Sequence, residues 1–291
     1  MKNKDLYKIK PVLLIFFISL SSFTFSQNPA KSDLKFINHL VDAGDFKEAL
    51  YLLEKDNGLS MQMKDSINYL KGWCLYSLKD LLPSSENLIK VSPGSEFYLK
   101  SRFFAAYNYS HLGLYEKALE AVSKIETVTD KQLSLKNYEL AGIHLLQGNY
   151  PMFEESFSKV DKNIFELSGS SENIERILGD LMQHKKKSPF IAGVLSGIVP
   201  GSGKFYAGKK GEAISAFIAS VGLGLVTWEN YRKDGLRDIK TMAFGTALLF
   251  SYAANIYGAI VSVNIMESEY NNNVKNSILF HLHIPLRNTF D

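Results

Sequence analysis

The sequence has few of the residues that covalent cross-linking, metal binding and catalysis need. Cys74 is the single cysteine among 291 residues, so the chain can form neither an internal disulfide nor a metal site built from cysteines. Its six histidines are scattered, with no cluster before the last residues. The net charge is only +3, and the basic residues form no long run interleaved with aromatics, which argues against nucleic-acid binding.

Motifs of the common enzyme classes are also missing. The stretch from Gly197 to Lys204 invites comparison with the phosphate-binding loop G-x-x-x-x-G-K-[ST]. With Lys204 as its lysine, that loop needs a serine or threonine where Phe205 stands. The sequence contains no H-E-x-x-H, no G-x-S-x-G and no nucleophile with a base placed beside it. We therefore predict that the protein is not an enzyme and uses no cofactor.

The first 26 residues are typical of a signal peptide. Lysines are frequent at the start, an apolar run extends from Val12 to Leu20, and small residues precede Gln27. The apolar run is shorter than the ~20 residues that a membrane-spanning helix needs, although an uncleaved anchor is the alternative. A signal peptide predicts that the next domain is delivered outside the cytoplasm.

From about residue 33 to residue 160 the apolar residues recur at helical spacing, and one short phrase returns. The phrase is a glycine followed by the start of a helix, and it begins at Gly44, Gly113 and Gly148. The glycines lie 69 and 35 residues apart, which is two periods and one period of about 34. A weaker copy from Leu78 to Ser84 fills the gap. The pattern predicts helix pairs that end at a left-handed glycine and stack on one another.

This period resembles the tetratricopeptide repeat, a helix-turn-helix unit. The resemblance implies four imperfect repeats that, with a capping helix, form a domain over residues 31–183. An irregular helical bundle with chance spacing is the alternative. In that family the first helix of each pair lines a concave groove, which implies that these repeats bind a protein or peptide partner. The positions that the resemblance assigns to the groove are aromatic: Tyr69, Trp73, Tyr76, Phe103, Tyr107 and Tyr138. Simple packing of these aromatics between helices is the other interpretation.

Residues 188–266 are predicted to form a membrane module. The uncharged segment 189–203 has only 15 residues and ends in a helix-breaking Pro-Gly-Ser-Gly, so we expect a short or re-entrant segment. Residues 211–228 and 241–265 are long enough to cross a bilayer, and the connection between them has seven charged side chains. Small residues in both crossings favour close helix approach, which would allow a homo-oligomer. The predicted fold class is therefore all-α: a tetratricopeptide-like helical solenoid followed by a transmembrane helical hairpin.

A glycine-tyrosine phrase precedes the first crossing. Gly201, Gly203, Tyr206 and Gly208 are spaced as G-x-G-x-x-Y-x-G, and Gly211 follows. The phrase looks like the start of the two-transmembrane-helix domain of bacterial envelope proteins, and like membrane tails behind tetratricopeptide repeats. We interpret it as a structural hinge between an interfacial segment and the first crossing. The resemblance implies location in the cell envelope, at the inner membrane, with the repeats in the periplasm.

Two functions fit this organisation. The first is a non-enzymatic membrane-anchored scaffold, whose exported repeats bind a protein partner and whose hairpin contacts the lipid bilayer. The alternative is a small transport or insertion component, in which the glycine-rich helices oligomerise around a path for a solute or lipid. Charge does not decide between two and three crossings, and we favour two.

Residues 267–291 read as a polar tail. His281 and His283 alternate there as on one face of a strand. Two histidines without a third ligand are more often surface residues than metal ligands, so we predict no metal site.

Overall fold

Helices form all the regular secondary structure of residues 29–55 and 63–290, the part of the chain that this computed structural model describes. No strand occurs among these residues, which confirms the all-α prediction. The predicted signal peptide lies outside them. The chain divides into two compact units, Met1–Thr127 and Val128–Asp291, and each is described by itself.

In the first unit each helix contacts the next one along the chain. The turns between paired helices use left-handed backbone, with φ of 85° at Gly44 and 76° at Gly113. In the weaker copy, Lys79 takes the same place with φ of 67°. The helices are α1 Pro29–Ala43, α2 Phe46–Lys55, α3 Lys64–Ser77, α4 Leu81–Leu88, α5 Tyr98–His111 and α6 Tyr115–Ser123.

Small residues at the start of the second helices allow close packing in this unit. Ala49 and Ala118 are completely buried. Ser84, which interrupts the pattern in the weaker copy, is buried too, and its hydroxyl donates to the carbonyl oxygen of Gly72 at 2.7 Å. The Asn108 amide in turn donates to the Ser84 hydroxyl at 3.0 Å, so three successive helices share one buried polar contact.

The second unit begins with another pair of helices around a left-handed turn, where Gly148 has φ of 73°. The Asn149 side chain accepts a hydrogen bond from the backbone N–H of Met152 and so caps the second helix of this pair. The helices are α7 Asp130–Leu146, α8 Tyr150–Phe157, α9 Phe165–Gln183, α10 Pro189–Ile198, α11 Ser202–Tyr206, α12 Lys210–Asp234 and α13 Ile239–Phe290.

Helix α13 is the longest element, with 52 residues, or roughly 78 Å at 1.5 Å per residue. Its last part contacts α7 and α9 and buries Ile278, Leu279, Leu282 and Leu286. The strand-like alternation predicted for the tail is wrong, because a buried apolar face at helical spacing holds it as a helix against α7 and α9.

Two of the described helices, α12 and α13, are long and apolar enough to cross a membrane by length and composition. Only 11% of the apolar window of α12 and 22% of that of α13 is buried within the protein. The core helix of a soluble protein would be mostly buried, so this exposure favours a lipid environment. Helix α10 is apolar but too short to cross.

Candidate functional site

The aromatic positions predicted for the groove differ in their exposure. In the first unit Phe103 is completely buried and Tyr76 nearly so, whereas Tyr69, Trp73 and Tyr107 are half-buried. The buried rings serve helix packing and offer no surface to a partner. The accessible part of the predicted groove in this unit is therefore limited to the three half-buried rings.

Trp73 lies at the centre of an aromatic cluster on α3 and α5. Its ring centroid is 5.2 Å from that of Tyr76 and 5.1 Å from that of Phe104, the latter edge-on. The Lys100 ammonium sits 4.0 Å from the Trp73 ring centroid, at cation–π distance. Phe97, which the sequence analysis did not single out, stacks on Tyr69 at 4.4 Å. The cluster is thus a rigid, partly exposed surface of rings with a cation at its edge.

Tyr138, in the second unit, is almost completely buried. It is 1% exposed, and its hydroxyl donates to the backbone carbonyl of His281 in α13 at 3.0 Å. One turn further along α7, Gly142 lies directly against the Leu282 side chain. The tail of the chain itself therefore covers the face of α7 that was predicted to receive a partner.

The hinge glycines differ in whether the structure requires them. Gly201 has φ of 88°, and a side chain there would overlap the backbone carbonyl of Ala213. Gly203 follows within α11, where a side chain would overlap the backbone carbonyl of Ala192. Gly208 has φ of 83° with open space around it, whereas Gly211 faces open space within α12. Steric contact therefore demands glycine at the first two positions, and backbone geometry demands it at 201 and 208.

A network of mostly buried hydrogen bonds stabilises the break between α10 and α11. The side-chain oxygen of Asn255 in α13 accepts from the backbone N–H of Gly201 at 3.2 Å, and its amide donates to the Ser196 carbonyl at 3.5 Å. The Ser196 hydroxyl accepts from the backbone N–H of Gly203 at 3.0 Å. Tyr252 donates to the Gly197 carbonyl at 2.8 Å. These side chains satisfy backbone groups that the broken helix leaves free, which an apolar environment requires.

Tyr206 ties the end of this broken segment to its beginning. The Tyr206 hydroxyl accepts from the backbone N–H of Ser188 at 3.2 Å. The Lys187 ammonium donates to the Tyr206 carbonyl at 2.7 Å and lies 5.3 Å from the ring centroid. Residues 188 and 206 are therefore neighbours, although α10 and α11 separate them in sequence.

The path of α10 along α13 shows the direction of the segment. Gly193 lies against Ile260, and Gly197 further along α10 contacts Ile256 and Tyr252. The chain thus runs antiparallel to α13 from residue 188 to residue 201, and then returns to Ser188 at Tyr206. The first and last residues of this segment, 188 and 206, therefore lie at the same end of its contact with α13.

Glu267, just past the apolar part of α13, holds the connection that leads from α9 to α10. One carboxylate oxygen accepts from His184 Nε2 at 2.9 Å, and the other accepts from the backbone N–H of Lys187 at 2.8 Å. The His184 ring stacks on Tyr270 with centroids 3.7 Å apart. Helix α13 is therefore joined to the connection between α9 and α10 through side chains.

Groups with catalytic potential are sparse in the described part of the chain. Burial raises the pKa of the Cys74 thiol to about 11, so the thiol stays protonated at neutral pH and is a poor nucleophile. No group of three or more histidine, cysteine, aspartate or glutamate residues is placed to hold a metal ion there. His281 and His283 are separated along a helix rather than paired on a strand face.

No known protein family, no curated protein and no solved structure matches this chain. The resemblances drawn from its motifs therefore stay predictions.

Proposed function

We propose that the protein is a non-enzymatic scaffold of the bacterial envelope, anchored in the inner membrane, whose tetratricopeptide-like repeats bind a protein partner in the periplasm. The observation that supports it best is the course of α13. One continuous helix contains a candidate membrane span and then packs against α7 and α9. Such a helix would fix the last repeat at the membrane surface, which suits an anchor that presents a binding domain.

The same contact supports two crossings. Helix α7 belongs to the exported repeats in this proposal, and the end of α13 must lie on the same side of the membrane in order to touch it. The number of crossings between α9 and residue 267 is then even. Because residues 188 and 206 are neighbours, α10 and α11 act as a re-entrant segment, which leaves α12 and α13 as the two crossings.

The surface that fits a partner best within the first unit is the half-buried aromatic cluster around Trp73. Aromatic rings held by their neighbours lose little side-chain entropy on binding, and tryptophan and tyrosine dominate the binding energy of many interfaces. Lys100 over the Trp73 ring adds a positive charge at the edge of this surface.

The experiment is affinity capture of the full-length protein from solubilised membranes with quantitative mass spectrometry, comparing the parent with Trp73→Ala and with Tyr51→Ala. Tyr51 is 60% exposed on α2 and serves as a matched aromatic control. We expect Trp73→Ala to deplete a partner by roughly tenfold, the loss typical of an interface hot spot. Equal partner recovery from parent and Trp73→Ala, with both variants folded, would argue against this surface; no enriched partner at all would argue against the scaffold.

The alternative, a transport or insertion component, finds less support where the path is for a polar solute, whereas an apolar groove is compatible with a path for a lipid. The groove between α12 and α13 is lined by apolar and small residues such as Val221, Gly224 and Leu249, and a path for a polar solute needs polar groups along it. Replacing residues 188–266 with an unrelated two-helix anchor separates the two functions. The scaffold retains partner capture after this exchange, whereas a transport component loses its activity.

A further inference from the structure

A cleft of about 240 Å³ lies in the first unit where α6 meets α5 and the end of α4. Charged and polar side chains dominate its lining: Arg102 and Tyr109 from α5, and Lys117, Glu120 and Lys124 from α6 or its end. We call it the cationic cleft. Three cationic side chains face one carboxylate in it, so the cleft has a surplus of positive charge.

Arg102 is held in place without satisfying all its donors. Its guanidinium carbon lies 5.0 Å from the Tyr98 ring centroid, a stacked position that orients the planar group. Its Nε is buried and has no hydrogen-bond partner among the described residues. A charged group with a buried, unpartnered donor is poorly stabilised, and an anion beside the guanidinium would stabilise its charge.

The other side chains add donors and little competition. Glu120 pairs with Lys124 at 2.6 Å, which occupies one carboxylate oxygen, and it acts on Arg102 and Lys117 only at longer range. The Lys117 ammonium lies 5.7 Å from the Tyr109 ring centroid. Burial, followed by the nearby Glu86 and Glu120 carboxylates, raises the pKa of Tyr109 against the opposing effect of Arg102, so its hydroxyl remains a donor at neutral pH.

We propose that the cationic cleft binds a carboxylate group of an acidic segment on the protein partner, a site that rests on the scaffold function proposed above. The planar guanidinium matches the two oxygens of a carboxylate, and its partial burial strengthens the contact relative to one in open water. A single negative charge fits better than a phosphate dianion, because Glu120 lines the cleft and the Glu86 carboxylate also acts on Tyr109, so a second negative charge on the ligand would be repelled.

The test measures binding of a fluorescein-labelled peptide with four consecutive glutamates to the full-length protein in nanodiscs of zwitterionic lipid, by fluorescence anisotropy at low salt. The same peptide with four glutamines is the neutral probe. We expect binding of the glutamate peptide only, weakened about tenfold by Arg102→Gln and several-fold by Lys117→Gln. Glu120→Gln should tighten it several-fold, because the substitution removes the competing carboxylate. Lys47→Gln, an exposed lysine on α2, serves as the control and should leave the affinity unchanged.

Three results would overturn the assignment: equal binding of both peptides, equal effects of Arg102→Gln and Lys47→Gln, or tighter binding of a phosphoserine peptide than of the glutamate peptide. The Arg102 variant could lose binding because it misfolds. Lys117→Gln and Glu120→Gln avoid this problem, because both residues are exposed on α6 and their substitutions are expected to change the affinity in opposite directions. A partner that is captured equally by the parent and by Lys117→Gln and Arg102→Gln would refute the cleft and leave the scaffold intact.

Discussion

At Gly203 a single hydrogen atom in place of a side chain decides how closely two helices approach. Its neighbour across the contact is the carbonyl oxygen of Ala192 in α10, which cannot move without bending that helix. Gly211, only eight residues further, faces open space in the first turn of α12. The two positions therefore form a matched pair for asking what the glycines of the hinge do.

We expect Gly203→Ala to destabilise the membrane module and Gly211→Ala to leave it unchanged or slightly more stable. The methyl group at 203 would force α10 and α11 apart and disturb the hydrogen bond from the Gly203 N–H to Ser196, at a cost of about 1–3 kcal/mol for overpacking. At 211, alanine improves helix propensity by up to ~1 kcal/mol. Thermal unfolding in detergent, followed by circular dichroism, measures both. Equal midpoints for the two variants would contradict a steric role for Gly203.

Glu139 is the second residue whose environment makes a sharp prediction. It is completely buried in α7, and neither carboxylate oxygen has a hydrogen-bond partner among the described residues. Burial raises its pKa well above the ordinary value of 4.5, so the side chain is protonated in the folded protein over a wider pH range than in the unfolded chain. Its contribution to stability is fully present below pH 4.5 and is lost as the pH rises through the folded pKa.

Glu139→Gln should therefore flatten the pH dependence of unfolding. The amide keeps the shape of the protonated acid but cannot ionise, so we expect its unfolding midpoint to exceed that of the parent at pH 8 and to match it near pH 5. Each pH unit in this window is worth up to about 1.4 kcal/mol for a single group. Glu172→Gln, on the exposed surface of α9, is the control. Its unfolding midpoint should show the same pH dependence as that of the parent. A parent whose stability does not fall between pH 5 and pH 8 would contradict the assignment.

The element that most changes the picture of the protein is the end of α13. It packs against α7 and α9 through an apolar face centred on Leu282, which is completely buried. A helix of this kind can cap the pair α7 and α8, because a helix pair leaves an apolar face that a neighbouring element must cover.

Leu282→Ala should unfold the repeat helices of the second unit more easily than Phe280→Ala. Truncating a buried leucine typically costs 2–5 kcal/mol, whereas Phe280 is 59% exposed and its loss should cost little. Limited proteolysis, with mass spectrometry of cleavage sites in α7 to α9, reports on this region separately from the membrane helices. Identical cleavage patterns for the two variants would show that the tail is not a cap.

Sequence patterns predicted the helices and their turns because those depend on local chemistry. The 34-residue spacing located the left-handed turns at Gly44, Gly113 and Gly148, and the weak copy placed a fourth where Lys79 adopts the same backbone. Candidate crossings followed from length and charge. Such features need only the neighbouring residues to specify them.

The same sequence patterns could not predict long-range contacts. The alternation around His281 resembled a strand locally, and only the distant partners Tyr138 and Gly142 show that this segment packs as a helix. Asn255 differs from these residues, since an amide within a 25-residue uncharged run is a detectable signal. Its partners at the α10 break, however, cannot be predicted from sequence. Burial of Phe103 and Tyr138 likewise depends on packing, which separates a groove residue from a core residue.

At the scale of the whole molecule, the proposed architecture depends on which side of the membrane each segment lies. In the proposed architecture, contact between the end of α13 and α7 requires the tail and α7 on one side of the membrane, with the charged connection after Asp234 on the other. Three crossings would place the tail opposite the repeats and break this contact. The positive-inside tendency does not decide the matter, because lysines flank the hinge as well as the connection.

Cysteine labelling of the full-length protein in intact cells tests this arrangement directly. In a Cys74→Ala background, Glu172→Cys, Asp234→Cys and Asn272→Cys each place one thiol at an exposed position. With a maleimide that crosses the outer membrane but not the inner one, we expect Glu172→Cys and Asn272→Cys to react in intact cells and Asp234→Cys only after the inner membrane is permeabilised. Labelling of Asp234→Cys together with Glu172→Cys, and protection of Asn272→Cys, would require three crossings and would separate the tail from the repeats. Because the contact of Leu282 with Gly142 could not then form, that result would refute the anchoring role of α13 along with the topology.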